Sequence, residues 1–194
     1  MAKTHKTNKA RTNRAARPAR ATAGEDIVDL VVQERSLHLV DLENLLGDPW
    51  ATGPRVGWAL ERYFEVAGWR TGDLVYIAAN PHLVKEFCFA PTVGWNLHAA
   101  RGPDGADLAL LAHAAPEFVA RRAGRMVVGS GDHIFAERAR RVAASGVDVL
   151  VVARPESRSW QLRRFPFRPF APVPTGTGTN APAAPGTDGG ALAA

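Results

Sequence analysis

Short apolar runs alternate along this chain with stretches of helical periodicity, and that alternation limits the fold more than any other feature. Strand-like runs stand at 37–40, 74–78, 92–97, 126–128 and 147–152. Helical patterns fill the gaps at 55–67, 81–87, 106–120 and 134–144. In the first of these, Val56, Leu60, Tyr63, Phe64 and Ala67 share one face, Pro54 opens the helix and Gly68 closes it. Pro116 is expected to split the third, and a last short helix is expected at 158–165. Strand, helix, strand in repetition is the pattern of a parallel sheet covered on both faces, with right-handed crossovers. The predicted fold is a three-layer α/β/α sandwich with a mainly parallel sheet of about five strands. Ligands of such sheets bind beyond the carboxyl ends of the strands.

Charge divides the chain further. The formal charge is +5 over 194 residues, but residues 1–24 carry Lys3, Lys6, Lys9, Arg11, Arg14, Arg17 and Arg20 with no acid. Removing those seven cations from +5 leaves −2, so the basic balance belongs to a tail and not to the body. Residues 1–24 therefore read as a disordered basic arm suited to phosphate contacts, 25–170 as one domain, and 171–194 as a disordered Pro/Gly/Ala/Thr-rich tail. At 46% hydrophobic residues over its full length, the chain can bury a core. The single cysteine, Cys88, excludes an internal disulfide framework and a cysteine zinc cluster, and is expected to be buried and inert. No run approaches the roughly 18 apolar residues of a membrane span, and the N-terminus lacks the apolar core of a secretory signal. The expected compartment is the cytoplasm. An oligomer is compatible with the sequence, which carries no feature that specifies one.

Three acids fall where a parallel sheet would place its chemistry. Asp41 ends the first strand within Asp41-Leu42-Glu43-Asn44, and Asp132 follows the fourth within Gly129-Ser130-Gly131-Asp132. Asp107 opens a helix after the third strand, within Arg101-Gly102-Pro103-Asp104-Gly105-Ala106-Asp107. Converging carboxylates repel unless a cation neutralises them. Hard oxygen donors without a Cys or His cluster select Mg²⁺ or Mn²⁺ over zinc. Such an ion activates water and stabilises a displaced phosphoryl oxygen.

These three motifs, in this order and spacing, resemble the NYN domain of the PIN-like nuclease superfamily over roughly residues 36–153. The resemblance implies a PIN-like α/β sandwich and metal-dependent hydrolysis of RNA, single-stranded RNA foremost. Asp41, Asp107 and Asp132 would be its catalytic, metal-binding acids, and Asn44 would support Asp41. Glu43, Asp104 and Ser130 are near enough to assist. Ile134 and His113 stand where the family often has further acids. That reduced set motivates an alternative, a catalytically weak or inactive RNA-binding module on the same fold.

Blander roles remain open for each residue. Asp41 can cap the turn after its strand, Asp107 can serve as a first-turn helix acid, and Asp132 can cap the helix beginning near Ile134. Gly129-Ser130-Gly131 can form an anion nest or an ordinary turn. A nucleotide-binding enzyme built on that turn is a third reading, but the chain has neither a Walker lysine motif nor Gly-x-Gly-x-x-Gly after a strand. His38 is expected in the core, His113 as a satisfied helix histidine, and His133 as an exposed helix-start residue. Among the tryptophans, Trp58 and Trp69 fit core positions and Trp50 an exposed loop, where it could stack a base. Arg158, Arg163, Arg164 and Arg168, interleaved with Trp160, Phe165 and Phe167, form a second basic segment.

Overall fold

The structure, a computed structural model, describes residues 32, 34–87 and 94–171. The cations of the predicted arm, Cys88, the start of the 92–97 run and residues 172–194 lie outside the described residues. Six strands form one sheet: β1 (Ser36–Asp41), β2 (Leu74–Ala79), β3 (Trp95–Ala99), β4 (Arg125–Gly129), β5 (Asp148–Ala153) and β6 (Phe167–Pro169). Their order is β3-β2-β1-β4-β5-β6, and every neighbouring pair is parallel.

Alternation of side chains along each strand divides the core in two. One face holds Val40, Val75, Ile77, Val127 and Val152 under α1 (Leu42–Leu46), α2 (Gly53–Ala67) and α3 (Pro81–Phe87). The other holds Leu37, Leu39, Tyr76, Val128 and Val151 under α4 (Gly105–Leu111), α5 (Pro116–Ala120) and α6 (Phe135–Ala144). This is the expected three-layer sandwich. The 106–120 pattern is split by Pro116, which stands at the first turn of α5, where a missing N–H costs nothing.

Two elements differ from expectation. The expected short helix at 158–165 is reduced to a 3₁₀ helix at Trp160–Leu162, which follows another at Pro155–Ser157 and leads into β6, and this makes the sheet six-stranded. Pro155 and Pro166 deny a long helix its backbone donors, and a three-residue edge strand tolerates its terminal Pro169. Phe170, just beyond it, is fully buried and meets Trp58 edge-on at 6.2 Å. Arg158 and Arg168 of the expected basic segment hold this extension. The guanidinium of Arg158 lies 4.1 Å from the Phe167 ring centroid and donates to the carbonyls of Leu162 and Phe165, and Arg168 donates to Val66 O at 2.7 Å. The second difference is α1, a five-residue helix too short to print a periodicity in sequence. Trp69 also departs from a core position, at 37% exposed just beyond α2.

His38 is core-packed as expected. Its Nε2 meets Asp73 Oδ2 at 3.3 Å and its Nδ1 meets the Tyr63 hydroxyl at 3.2 Å. Burial pushes its pKa down, opposed in part by Asp73, so the ring is neutral. A neutral ring satisfies both partners if Nε2–H donates to Asp73 and Nδ1 accepts from Tyr63. Among the described residues, no helix is long and apolar enough to cross a membrane.

Candidate functional site

The registry of β1 and β4 builds the site. Val40 lies opposite Gly129, so the next residues, Asp41 and Ser130, emerge level at the C-terminal edge. There the buried Ser130 hydroxyl donates to Asp41 Oδ2 at 3.0 Å. Asp41 Oδ1 accepts from Asn44 N at 3.1 Å, which caps α1. Asp41 thus fills the capping role open to a strand-end acid.

Asp107 arrives from α4. Asp104 takes the left-handed conformation ahead of it, with φ 55°, and makes no side-chain cap bond to the helix. Asp107, in the first turn of α4, is only 8% exposed. Asp41 lines the same pocket, and its charge acts on Asp107. Burial, first, and the neighbouring Asp41, Asp132 and Asp104 charges push the Asp107 pKa up to about 7. Burial likewise raises Asp41 to about 6, against the hydrogen bonds from Asn44 and Ser130. Asp107 Oδ1 is buried with no hydrogen-bond donor. An orphaned carboxylate oxygen beside a second carboxyl is a pair short of positive charge.

The two acids line a pocket of about 410 Å³ together with Glu43, Asn80, Arg101 and Asp104. Glu43 is fixed on its wall, because its Oε1 accepts from Asn80 N at 2.6 Å. Arg101 is exposed at the rim. Asp132 is placed differently. Its Oδ1 accepts from Ile134 N at 3.0 Å and pairs with His133 Nδ1 at 2.8 Å. It therefore closes a turn just ahead of α6, whose cap position, Ile134, has no side-chain cap bond, and it reaches the pair through its charge. Among the described residues, no group of three or more His, Cys, Asp or Glu side chains stands arranged as a metal site. The Asp41–Asp107 pair nonetheless fits a hard divalent cation: both are oxygen donors, one oxygen lacks any partner, and the pocket opens onto them.

Asn44 does more than close a turn. Its Oδ1 accepts from Gly131 N at 3.0 Å and from Ser157 Oγ at 3.2 Å, and its carbonyl accepts from Arg154 Nε at 3.0 Å. One side chain and its backbone thus clasp the ends of β1, β4 and β5. The clasp leaves no open anion nest at Gly131, whose N–H is taken and whose missing Cβ makes room for the Ser157 backbone. Arg154 packs across Gly47, which has φ 64° and closes α1. Arg154, Ser157, Asn80 and Arg101 were not singled out from the sequence. The positions of Asn80 and Arg154, each directly after a strand, could have marked them. His113 stacks on Tyr76 at 4.1 Å, and burial lowers its pKa, which fits its structural reading. His133 is exposed, as expected.

Compared with family models, with curated proteins and with solved structures, the chain matched none.

Proposed function

We propose that this chain is a divalent-metal-dependent ribonuclease whose centre is the Asp41–Asp107 pair. One observation carries the reading: a buried carboxylate oxygen, Oδ1 of Asp107, lies without a donor beside a second acid, in a pocket beyond the strand ends. Asp41 and Asp107 would hold Mg²⁺ or Mn²⁺, with the charge of Asp132 added from the side. Bound there, the ion supplies the positive charge that polarises a phosphodiester and acidifies an attacking water. Ser130 and the Asn44 backbone N–H orient the Asp41 carboxylate, so that its free lone pairs face the pocket. Arg101 at the rim meets a substrate phosphate, and Glu43, held by Asn80, shapes the opposite wall. The choice of RNA rests on the NYN-like order of the three acidic motifs.

The test is cleavage of single-stranded RNA by purified protein with Mn²⁺. Wild type is expected to cleave, and Asp41→Asn and Asp107→Asn to lose at least ~100-fold of that rate. Equal rates in all three would sink the mechanism. A second reading, an RNA-binding module without turnover, is favoured by one observation: Asp132 is occupied by Ile134 N and His133, which leaves two acids, Asp41 and Asp107, lining the pocket. Salt-sensitive RNA binding with no metal-dependent cleavage would decide for it.

A further inference from the structure

A second cavity, of about 660 Å³, lies at the other end of the sheet from the acids. Arg125 and Asp148, which open β4 and β5, bound it on one side, and the segment that leads into β6 bounds it on the other. β6 pairs with β5 only from Val151 onward, so Asp148, Val149 and Leu150 are an uncovered half of that strand. Val151 N donates to Pro166 O at 2.9 Å and Phe170 N to Ala153 O at 2.8 Å, so alternate residues of β5 turn their N–H and C=O toward β6. Val149, two residues before Val151, turns its own the same way. No described residue bonds Val149 on that side. Pro166, which in the β6 register would answer its carbonyl, has no N–H. Open strand edges of this kind are normally covered or paired.

The cavity wraps this edge and so has a wall on each face of the sheet. One wall is apolar: Val149 and Phe165 belong to the core cluster of that face, and Phe167 packs against it with its ring held by the Arg158 guanidinium. The other wall carries Arg125, Asp148 and Arg168. Its two guanidiniums converge on the end of α2, where Arg125 Nη2 donates to Gly68 O at 3.5 Å and Arg168 Nη1 to Val66 O at 2.7 Å. Arg125 Nε also donates to Ser36 Oγ at 3.0 Å. Each arginine keeps N–H groups that these bonds do not use. Among the described residues, neither forms an ion pair. Asp148 stands across from Arg125 in the β4–β5 register without pairing with it. One carboxylate against two guanidiniums leaves this wall short of one negative charge.

We infer that the open half of β5 receives an extended peptide segment of a partner protein, which adds a strand in line with β6 and carries one acidic side chain between two apolar ones. A strand turns successive side chains to opposite faces. Its apolar residues then meet the Phe165 and Phe167 wall, and its acid meets Arg125 and Arg168. Main-chain pairing with Val149 supplies attachment, and the two unlike walls supply selection. Three uncovered residues at roughly 3.3 Å each accept about 10 Å of strand, the length of a short linear motif. A free phosphate or carboxylate would answer the arginines but leave the Val149 backbone and the rings unmet. The inference is independent of the nuclease reading, whose acids lie at the opposite end of the sheet.

The experiment titrates the full-length protein with the synthetic peptide acetyl-Thr-Val-Asp-Val-Thr-amide, followed by calorimetry and by backbone amide NMR. Saturable binding is expected, with the Val149 amide among the most shifted and the amides of residues 41–44 unmoved. Replacing the peptide's Asp by Asn should lose about tenfold in affinity. Two further peptides, N-methylated at alternate residues in the two possible frames, separate main-chain pairing from mere contact. The frame that blocks the outward N–H groups should bind like the parent, and the other should lose at least about tenfold. Arg168→Gln should cost the Asp peptide as much as its own change to Asn, and leave affinity for the Asn peptide unaltered. The peptide variants carry the test even if that protein variant folds poorly. No saturable binding, equal losses in both N-methyl frames, or no loss on changing Asp to Asn would each overturn the inference. Competition by inorganic phosphate that displaces the peptide completely would reduce the cavity to an anion site and overturn it as well. Self-association of the protein that the peptide dissolves would assign the edge to a second copy of this chain and not to a partner.

Discussion

Asp73 and Asp107 sit at opposite ends of the same parallel sheet, both with little-exposed carboxyls, and the protein treats them in opposite ways. At the N-terminal edge, Asp73 accepts from Ser36 N at 2.7 Å, from Arg70 N at 2.8 Å and from His38 at 3.3 Å. Burial acts to raise its pKa, but those bonds outweigh it and hold the carboxyl below its ordinary value. At the C-terminal edge, Asp107 has a buried oxygen with no donor and an acid for a neighbour, and its pKa rises to about 7. A structural acid is surrounded by donors. The acid proposed as a metal ligand is left wanting them.

Mutating the two acids separates the roles most sharply. Asp73→Ala strips the acceptor from two backbone N–H groups and from His38, and should cost about 3 kcal/mol, or about 9 °C in melting temperature, by denaturant and thermal unfolding. Saturating Mn²⁺ should work in the other direction at the opposite edge. At about 100 times its Kd, it should stabilise wild type by about 2.7 kcal/mol at pH 8, and Asp107→Asn hardly at all. In metal-free buffer at pH 8, Asp107→Asn should melt about 3 °C above wild type, since it removes one charge from a repelling pair. A fall in its melting temperature would place Asp107 with the structural acids.

The pH dependences should also oppose each other. Asp41 and Asp107 have folded pKa values near 6 and 7, above the ordinary 3.8. The folded protein therefore binds more protons than the unfolded chain in between. Their contribution is fully present below about 3.8 and is lost as pH rises through about 7. Asp73, with its lowered value, contributes above its ordinary pKa and loses that contribution as pH falls through the folded one. Metal-free unfolding from pH 4 to 8 should show stability declining through the upper window in wild type and flattening in Asp107→Asn. The smallest effect on the fold should come from removing residues 1–24. That deletion should leave melting and Mn²⁺ binding unchanged while it weakens RNA affinity and flattens its salt dependence.

The sheet and the acid pair were legible because each depends on local pattern. Continuous apolar runs mark strands buried on both faces, and a parallel sheet brings the residues after its strands to one edge, so Asp41 and Asp107 could be expected to meet. β6 was not legible, because three residues that follow one proline and end in another print no alternation. Nor was the Asn44 clasp. Its partners Arg154 and Ser157 lie 110 and 113 residues away, and only the folded sheet brings them together. A cap on the following helix was the stated alternative for Asp132, and the structure instead gives it a turn bond to Ile134 N one residue ahead of that helix. Its weight against the metal role depends on side-chain direction, which spacing does not encode.

The most direct measurement is a calorimetric titration of Mn²⁺ into the full-length protein and its Asp107→Asn variant near pH 6. Wild type should bind saturably and release about one proton or more per ion, because the Asp41–Asp107 pair must ionise to bind. The variant should bind far more weakly. Equal binding by the two proteins, or no binding by wild type, would contradict the assignment of this pair as a metal-dependent centre.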